Sequence, residues 1–127
     1  MEIPALTKGP ITVRHLAMFA AATAEFVDIH YDRDFAKSRG LPDVIIQGWY
    51  KTAIIAQMLK DWVGDDTAIK RINVQHRDMD VAGNTLTTGG KVISVSQKGN
   101  ERQVECEVWA ENQRSKRTTI GTVLLIL

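Results

Sequence analysis

The residues best equipped for chemistry lie close together in the chain. The stretch "EFVDIHYDRD", residues 25 to 34, carries Glu25, Asp28, Asp32 and Asp34 around His30. A carboxylate beside an imidazole moves protons near neutral pH, because the imidazole gains and loses a proton there while the carboxylate orients it. Glu25 and His30 are five positions apart, about 140° round a continuous helix, so a helix would part them. They converge only if the backbone bends between them. If the segment is extended instead, Asp28, His30 and Asp32 share one side. The same residues also suit two other uses. One is a solvated connection in which Asp32 merely caps a helix; the other is a metal site built on "DIHYD", since Asp and His both ligate. No HxH, HExxH or CxxC spacing supports the metal, and no cofactor is expected. His15, in "VRHLAM", and His76, on the apolar side of a strand, read as partly buried structural histidines.

Gly48 is the second chemical feature. A glycine opening a helix leaves its backbone N–H free of side-chain cover, with the helix dipole behind it. Such a donor can hold a carbonyl oxygen as it gains negative charge. The plainer role is to let the chain turn tightly into the helix.

The elements that must position these groups follow from periodicity. "ITVRHLAMFAAAT" is a short extended piece and then a helix capped by Thr12, ending near Thr23. A short second helix starts from Asp32 and stops at Gly40 and Pro42. "QGWYKTAIIAQMLKDWVGDD" places Trp49, Ile54, Ile55, Met58, Leu59 and Trp62 round much of a helix, which predicts burial on most sides. After Asp66 the period changes to two. Strands are predicted over 69–78, "TLTTGGKVISVSQ", "RQVECEVWAEN" and "RTTIGTVLLIL", joined by turns at "VAGN", "KGNE" and "QRSK". The glycine pair Gly89–Gly90 suggests a bulge or a close backbone approach. Helices followed by an antiparallel meander make an α+β chain, with a sheet wrapped around one long helix.

Composition excludes several classes. A chain of 127 residues suits one domain with one core, residues 1–127. A net charge of +1 argues against a dedicated nucleic-acid binder. No run of about 18 apolar residues is present to span a bilayer, and "MEIPALTKGP" has no signal-peptide core; a cytoplasmic protein is expected. Cys106, the single cysteine, alternates with Val104 and Val108 and is expected to be buried.

Taken together, "ATAEFVDIHYDRDFA" and "GLPDVIIQGWY" resemble the MaoC-like enoyl-CoA hydratases and 3-hydroxyacyl thioester dehydratases. That family's signature is an acid, four residues, then H-x-D-x-x-x-A, with an apolar-x-G opening the central helix. "DVAGNTLTTGGKV" and "ENQRSKRTTIGTVLLIL" also resemble family segments, so the likeness spans nearly the whole chain. The resemblance implies the hotdog fold, pairing with a second hotdog protomer, and reversible hydration of 2-enoyl thioesters of CoA or acyl carrier protein in fatty-acid or lipid metabolism. By position, Glu25 falls on the family's catalytic acid, His30 on its histidine and Gly48 on the glycine whose amide polarises the thioester carbonyl. Asp28, where the family usually has proline or arginine, is a second candidate for the acid. Val27, Gln47 and Ala56 replace the usual asparagine or histidine, histidine and serine. Three outcomes stand open: a hydratase or dehydratase, a non-catalytic hotdog subunit binding acyl thioester or a partner, and a thioesterase. The chain looks like the small single-hotdog subunits, some of which form half of a heteromeric hydratase on bulky substrates such as steroid side-chain CoA thioesters, so the partner is either a copy of itself or an unlike chain.

Overall fold

The computed structural model describes residues 1–65 and 68–127. In chain order the elements are β1 (Glu2–Lys8), α1 (Val13–Thr23), a single 3-10 turn (Asp28–His30), α2 (Arg33–Ser38), α3 (Gly48–Val63), β2 (Ile69–His76), β3 (Leu86–Lys98), β4 (Glu101–Glu111) and β5 (Arg117–Ile126). The strands form one antiparallel sheet in the order β1-β3-β4-β5-β2.

Two features of this sheet depart from the sequence expectation. Only β3, β4 and β5 form a meander. The connection after β2 carries the chain to the other side of the sheet, so β2 pairs with β5 rather than β3. The first strand, β1, was not anticipated. Its interior Pro4 argues against a central strand, and β1 accommodates it as an edge strand whose register shifts between Ile3 and Leu6. The glycine pair marks a close approach and also faces the register shift of β1, where Ile3 pairs with Gly90 and Leu6 with Thr88. A Cβ on Gly90 would lie 2.9 Å from the Glu107 carbonyl oxygen, and the β3–β4 pair has its own register shift between Val92 and Ser94.

The sheet wraps α3. Ile55, Met58 and Leu59 pack against Val104, Cys106, Val108 and Ala110 of β4 and Val123 and Leu125 of β5. All are buried, and burial of each larger aliphatic side chain contributes about 1.5–3 kcal/mol. Cys106 is buried as expected, which raises its thiol pKa. The helix is less enclosed than its composition suggests, because Trp49 is 66% exposed. Trp49 lines two open cavities, one of them with Ile72, Asn73 and Val74 of β2.

A second cluster joins Leu16 of α1, Ala36 of α2, Val44, Ile46, Ile54 of α3 and Leu86. This cluster fixes the segments that carry the titratable residues. Thr12 caps α1 as expected, accepting from His15 N, while the His15 ring completes a reciprocal capping box. His15 is therefore an exposed capping group, not a partly buried one. Helix α1 ends where Ala24 takes a left-handed conformation, φ 56°. Asp32 Oδ1 accepts from Phe35 N at 3.0 Å and starts α2. Among the described residues, no helix is long and apolar enough to cross a membrane.

Candidate functional site

Helix α3 begins at the bottom of a cleft. Its N-cap, Gln47, is 2% exposed and donates from Nε2 to Leu16 O at 2.9 Å, which ties the helix head to α1 and leaves Gln47 Oε1 without a protein partner. No side chain caps the helix at this end, so the first-turn amides keep their positive end of the dipole open. Gly48 lines two adjoining cavities, one of about 490 Å³ with Trp49, Thr52, Ile72, Val74 and His76, and one of about 400 Å³ with His30, Lys51 and His76.

The bend needed to bring an acid toward His30 is present. After Ala24 the chain leaves the helix, and Asp28–His30 forms one 3-10 turn rather than an extended run, so Asp28, His30 and Asp32 are not aligned on one side. Ile45 N donates to Ile29 O at 2.9 Å, and Ile45 also bridges to Val81. Residue 45 thereby clamps the turn to the loop after β2. His30 Nδ1 lies 2.8 Å from Ile45 O. A carbonyl only accepts, so Nδ1 carries the proton in the neutral ring and Nε2 keeps its lone pair, the form a general base needs.

The two candidate acids sit differently. Glu25 lines an apolar cavity of about 440 Å³ with Phe19, Trp49, Thr52, Ala53 and Ala56, next to the cleft through Trp49 and Thr52. No hydrogen bond joins it to His30. Asp28 is exposed and accepts from the Tyr31 hydroxyl at 3.0 Å, which raises the Tyr31 pKa. Thus His30 and Gly48 share one cavity, Glu25 lies in the neighbouring one, and Asp28 lines neither.

Three further residues belong here and were missed or misjudged from sequence. His76, expected to be structural, stands at the end of edge strand β2 and lines both cavities with Gly48. A Cβ on Gly48 would lie 2.7 Å from its Cδ2 and 2.8 Å from its Nε2, so only glycine lets the ring sit there undisplaced. Desolvation of the ring, then the Lys51 charge, lower its pKa. Lys51 is 2% exposed and its Nζ lies 2.8 Å from Oδ2 of Asp80, itself fully buried. The ammonium also donates to Asp78 O at 3.1 Å and Thr118 Oγ1 at 3.3 Å. Asp80 accepts in addition from Thr118, Asn84 and Asn112. This network pins the first turn of α3 to the loop after β2 and to β5. The available signal was spacing: Lys51 falls on the helical stripe of Ile55, Met58 and Leu59. Among the described residues no group of three His, Cys, Asp or Glu is placed to hold a metal ion.

Residues 4–116 match the family described as MaoC like domain. The chain belongs to the MaoC-like family. Within it, the chain is 32% identical over 77 residues to the beta subunit of 3-oxo-4,17-pregnadiene-20-carboxyl-CoA hydratase from Mycobacterium tuberculosis. That match covers 61% of this chain and 60% of the relative, so it spans less than two thirds of that protein. The ChsH1–ChsH2 complex from Mycobacterium tuberculosis superposes over the whole chain and 95% of the matched chain, with TM-score 0.86 and 25% identity. An (R)-hydratase from A. caviae involved in PHA biosynthesis shares the fold, with TM-score 0.89 at 16% identity over the whole chain and 94% of its own. The MaoC-like chain has the hotdog fold.

Proposed function

We propose that this MaoC-like protein adds water reversibly across the double bond of 2-enoyl thioesters. The observation that carries the assignment is the pairing, in one cavity, of a His30 ring whose Nδ1 is bound to a carbonyl with the open amide at the head of α3. In hydration, His30 Nε2 takes a proton from water as the water oxygen bonds to C3. The C2=C3 electron pair shifts toward the carbonyl, and the enolate oxygen accepts from Gly48 N–H. The proton held by His30 returns to C2, so the sum is addition of one water. Glu25, at the border of the apolar cavity, holds the water or acts with His30; Asp28 is the alternative acid. The cavity of Phe19, Trp49, Ala53 and Ala56 suits the acyl chain. At the opposite end, a cavity of about 580 Å³ adjoins the cleft through Asp78 and Met79 and carries Arg114 and Lys116, cations suited to the phosphates of a CoA or acyl-carrier thioester.

A second reading has a specific observation in its favour. Glu25 has no hydrogen bond to His30, and the relative named above is one subunit of a hydratase. The chain would then be a hotdog subunit that binds acyl thioester and depends on an unlike partner for full chemistry. Thioester hydrolysis is a weaker alternative. Crotonyl-CoA and a bulky 2-enoyl-CoA distinguish the three: hydration removes the absorbance of the conjugated bond and keeps CoA attached, hydrolysis releases thiol, and a binding subunit does neither. His30→Ala is expected to abolish hydration while leaving the circular dichroism unchanged; a variant that keeps the wild-type rate sinks the assignment.

A further inference from the structure

We propose, building on the hydratase assignment, that His76 is a further catalytic residue whose Nε2–H joins Gly48 N–H in holding the thioester carbonyl oxygen. The position comes first. His76 and Gly48 line both cavities of the cleft together, and the ring nitrogen Nε2 stands 2.8 Å from where a Gly48 side chain would begin. An oxygen seated on the Gly48 amide shares that cleft with the nitrogen.

The proton on Nε2 follows from the partner of the other nitrogen. His76 Nδ1 lies 2.9 Å from Thr119 Oγ1, and Thr119 is fully buried. Among the described residues that contact is the hydroxyl's single hydrogen bond. If Nδ1 donated, the buried hydroxyl proton would face no acceptor, an arrangement that costs about 1–3 kcal/mol. With the hydroxyl donating, Nδ1 is the acceptor and Nε2 carries the hydrogen. His30 has the opposite arrangement, because its Nδ1 is bound to a carbonyl. The cleft thus holds two imidazoles in opposite tautomers, one a base and the other a donor. Burial of the ring, and then the Lys51 charge one turn into the helix, lower the His76 pKa from its ordinary value, so the neutral ring is favoured at pH 7.

Two measurements on the wild-type protein, in the assembly it forms, test this without depending on turnover. Nitrogen-15 chemical shifts at pH 8 are expected to show His76 protonated on Nε2 and His30 on Nδ1; His76 protonated on Nδ1 overturns the proposal. Bound 4-dimethylaminocinnamoyl-CoA, whose absorption moves to longer wavelength when its carbonyl is polarised, is expected to shift on binding. No shift also overturns the proposal. His76→Phe is expected to lose most of that shift and to lower kcat about 100-fold with little change in KM, the usual cost of one oxyanion donor. His76→Gln restores an N–H and recovers at least about a tenth of the rate, which a merely structural role would not explain. Thr119→Val, which leaves the ring in place but frees Nδ1, gives a smaller loss and serves if His76→Phe does not fold. Equal losses in the Phe and Gln variants, or a full shift in His76→Phe, refute the contact. Wild-type protein that shifts the probe but hydrates nothing refutes the hydratase assignment and leaves the His76 contact standing.

Discussion

Asp80→Asn is the sharpest test of how the cleft is held together. The substitution keeps the side chain's size and leaves an oxygen for Asn84 and Asn112, which donate to Oδ1 at 3.4 and 3.2 Å. At the Oδ2 position it places an N–H group against the Lys51 ammonium, now 2.8 Å from a carboxylate oxygen, and against the Thr118 hydroxyl. Lys51 is 2% exposed and keeps only the Asp78 carbonyl and Thr118 hydroxyl as partners. An ammonium left without its buried counter-charge costs about 3–5 kcal/mol. Folded domains have a total stability of about 5–15 kcal/mol. At about 4 °C per kcal/mol, the midpoint of thermal unfolding falls by at least about 10 °C. Lys51→Met alone should cost less, about 1–3 kcal/mol, because Asp80 retains three hydrogen-bond donors. The double variant should recover at least about 2 kcal/mol relative to Asp80→Asn, since no buried charge is then left unpaired. Urea unfolding with a constant m value measures all three. A loss under about 1 kcal/mol in Asp80→Asn, or a double variant additive within about 0.5 kcal/mol, would show that the pair does not govern this region.

Gly48→Ala pushes a methyl group to 2.7 Å from the His76 ring, which stands at the end of an edge strand and can yield. The expected outcome is a stability loss of no more than about 2 kcal/mol with hydration slowed at least about tenfold; unchanged turnover contradicts the crowding of the cleft. Glu25→Gln and Asp28→Asn, assayed side by side, should separate the acids. Glu25→Gln is expected to lower kcat about 100-fold and Asp28→Asn to leave it nearly unchanged, and the reverse ranking moves the role to Asp28. Stability should also depend on pH through His76. Its pKa is lowered from 6.5 in the fold, so below that value the unfolded chain binds the proton first and the folded state loses stability; above it both states are neutral and the effect is absent. The groups facing the ring across its cavity are His30, Lys51, Arg77 and Asp78. Wild type is expected to lose more stability than His76→Gln between pH 7 and 5, and parallel curves would contradict this.

Local signals made much of the frame legible. Thr12 and Asp32 act as caps where short polar side chains precede apolar periodicity, and Gly99 turns the β3–β4 hairpin at a positive φ of 60°. The stripe of Ile55, Met58 and Leu59 fixed the long helix. Strand β1 escaped because Pro4 and its neighbours alternate poorly, and an edge strand with a register shift needs no clean pattern. The order of β2 escaped for a different reason. A period of two says that a strand exists and which face it buries, but carries no information on which edge of the sheet it will join.

The site divides along the same line. By itself the sequence determined the chemical types present: an imidazole near carboxylates, a helix-opening glycine and the break that separates α1 from α2. These depend on near neighbours, which the chain itself encodes. Only the tertiary structure decided which of them meet, because His30 and His76 lie 46 positions apart and reach one cavity through the clamp at Ile45 and the strand pairing of β2 with β5. It likewise decided that Lys51 is buried, since a lysine enters a core only where a distant carboxylate such as Asp80 is brought to neutralise it.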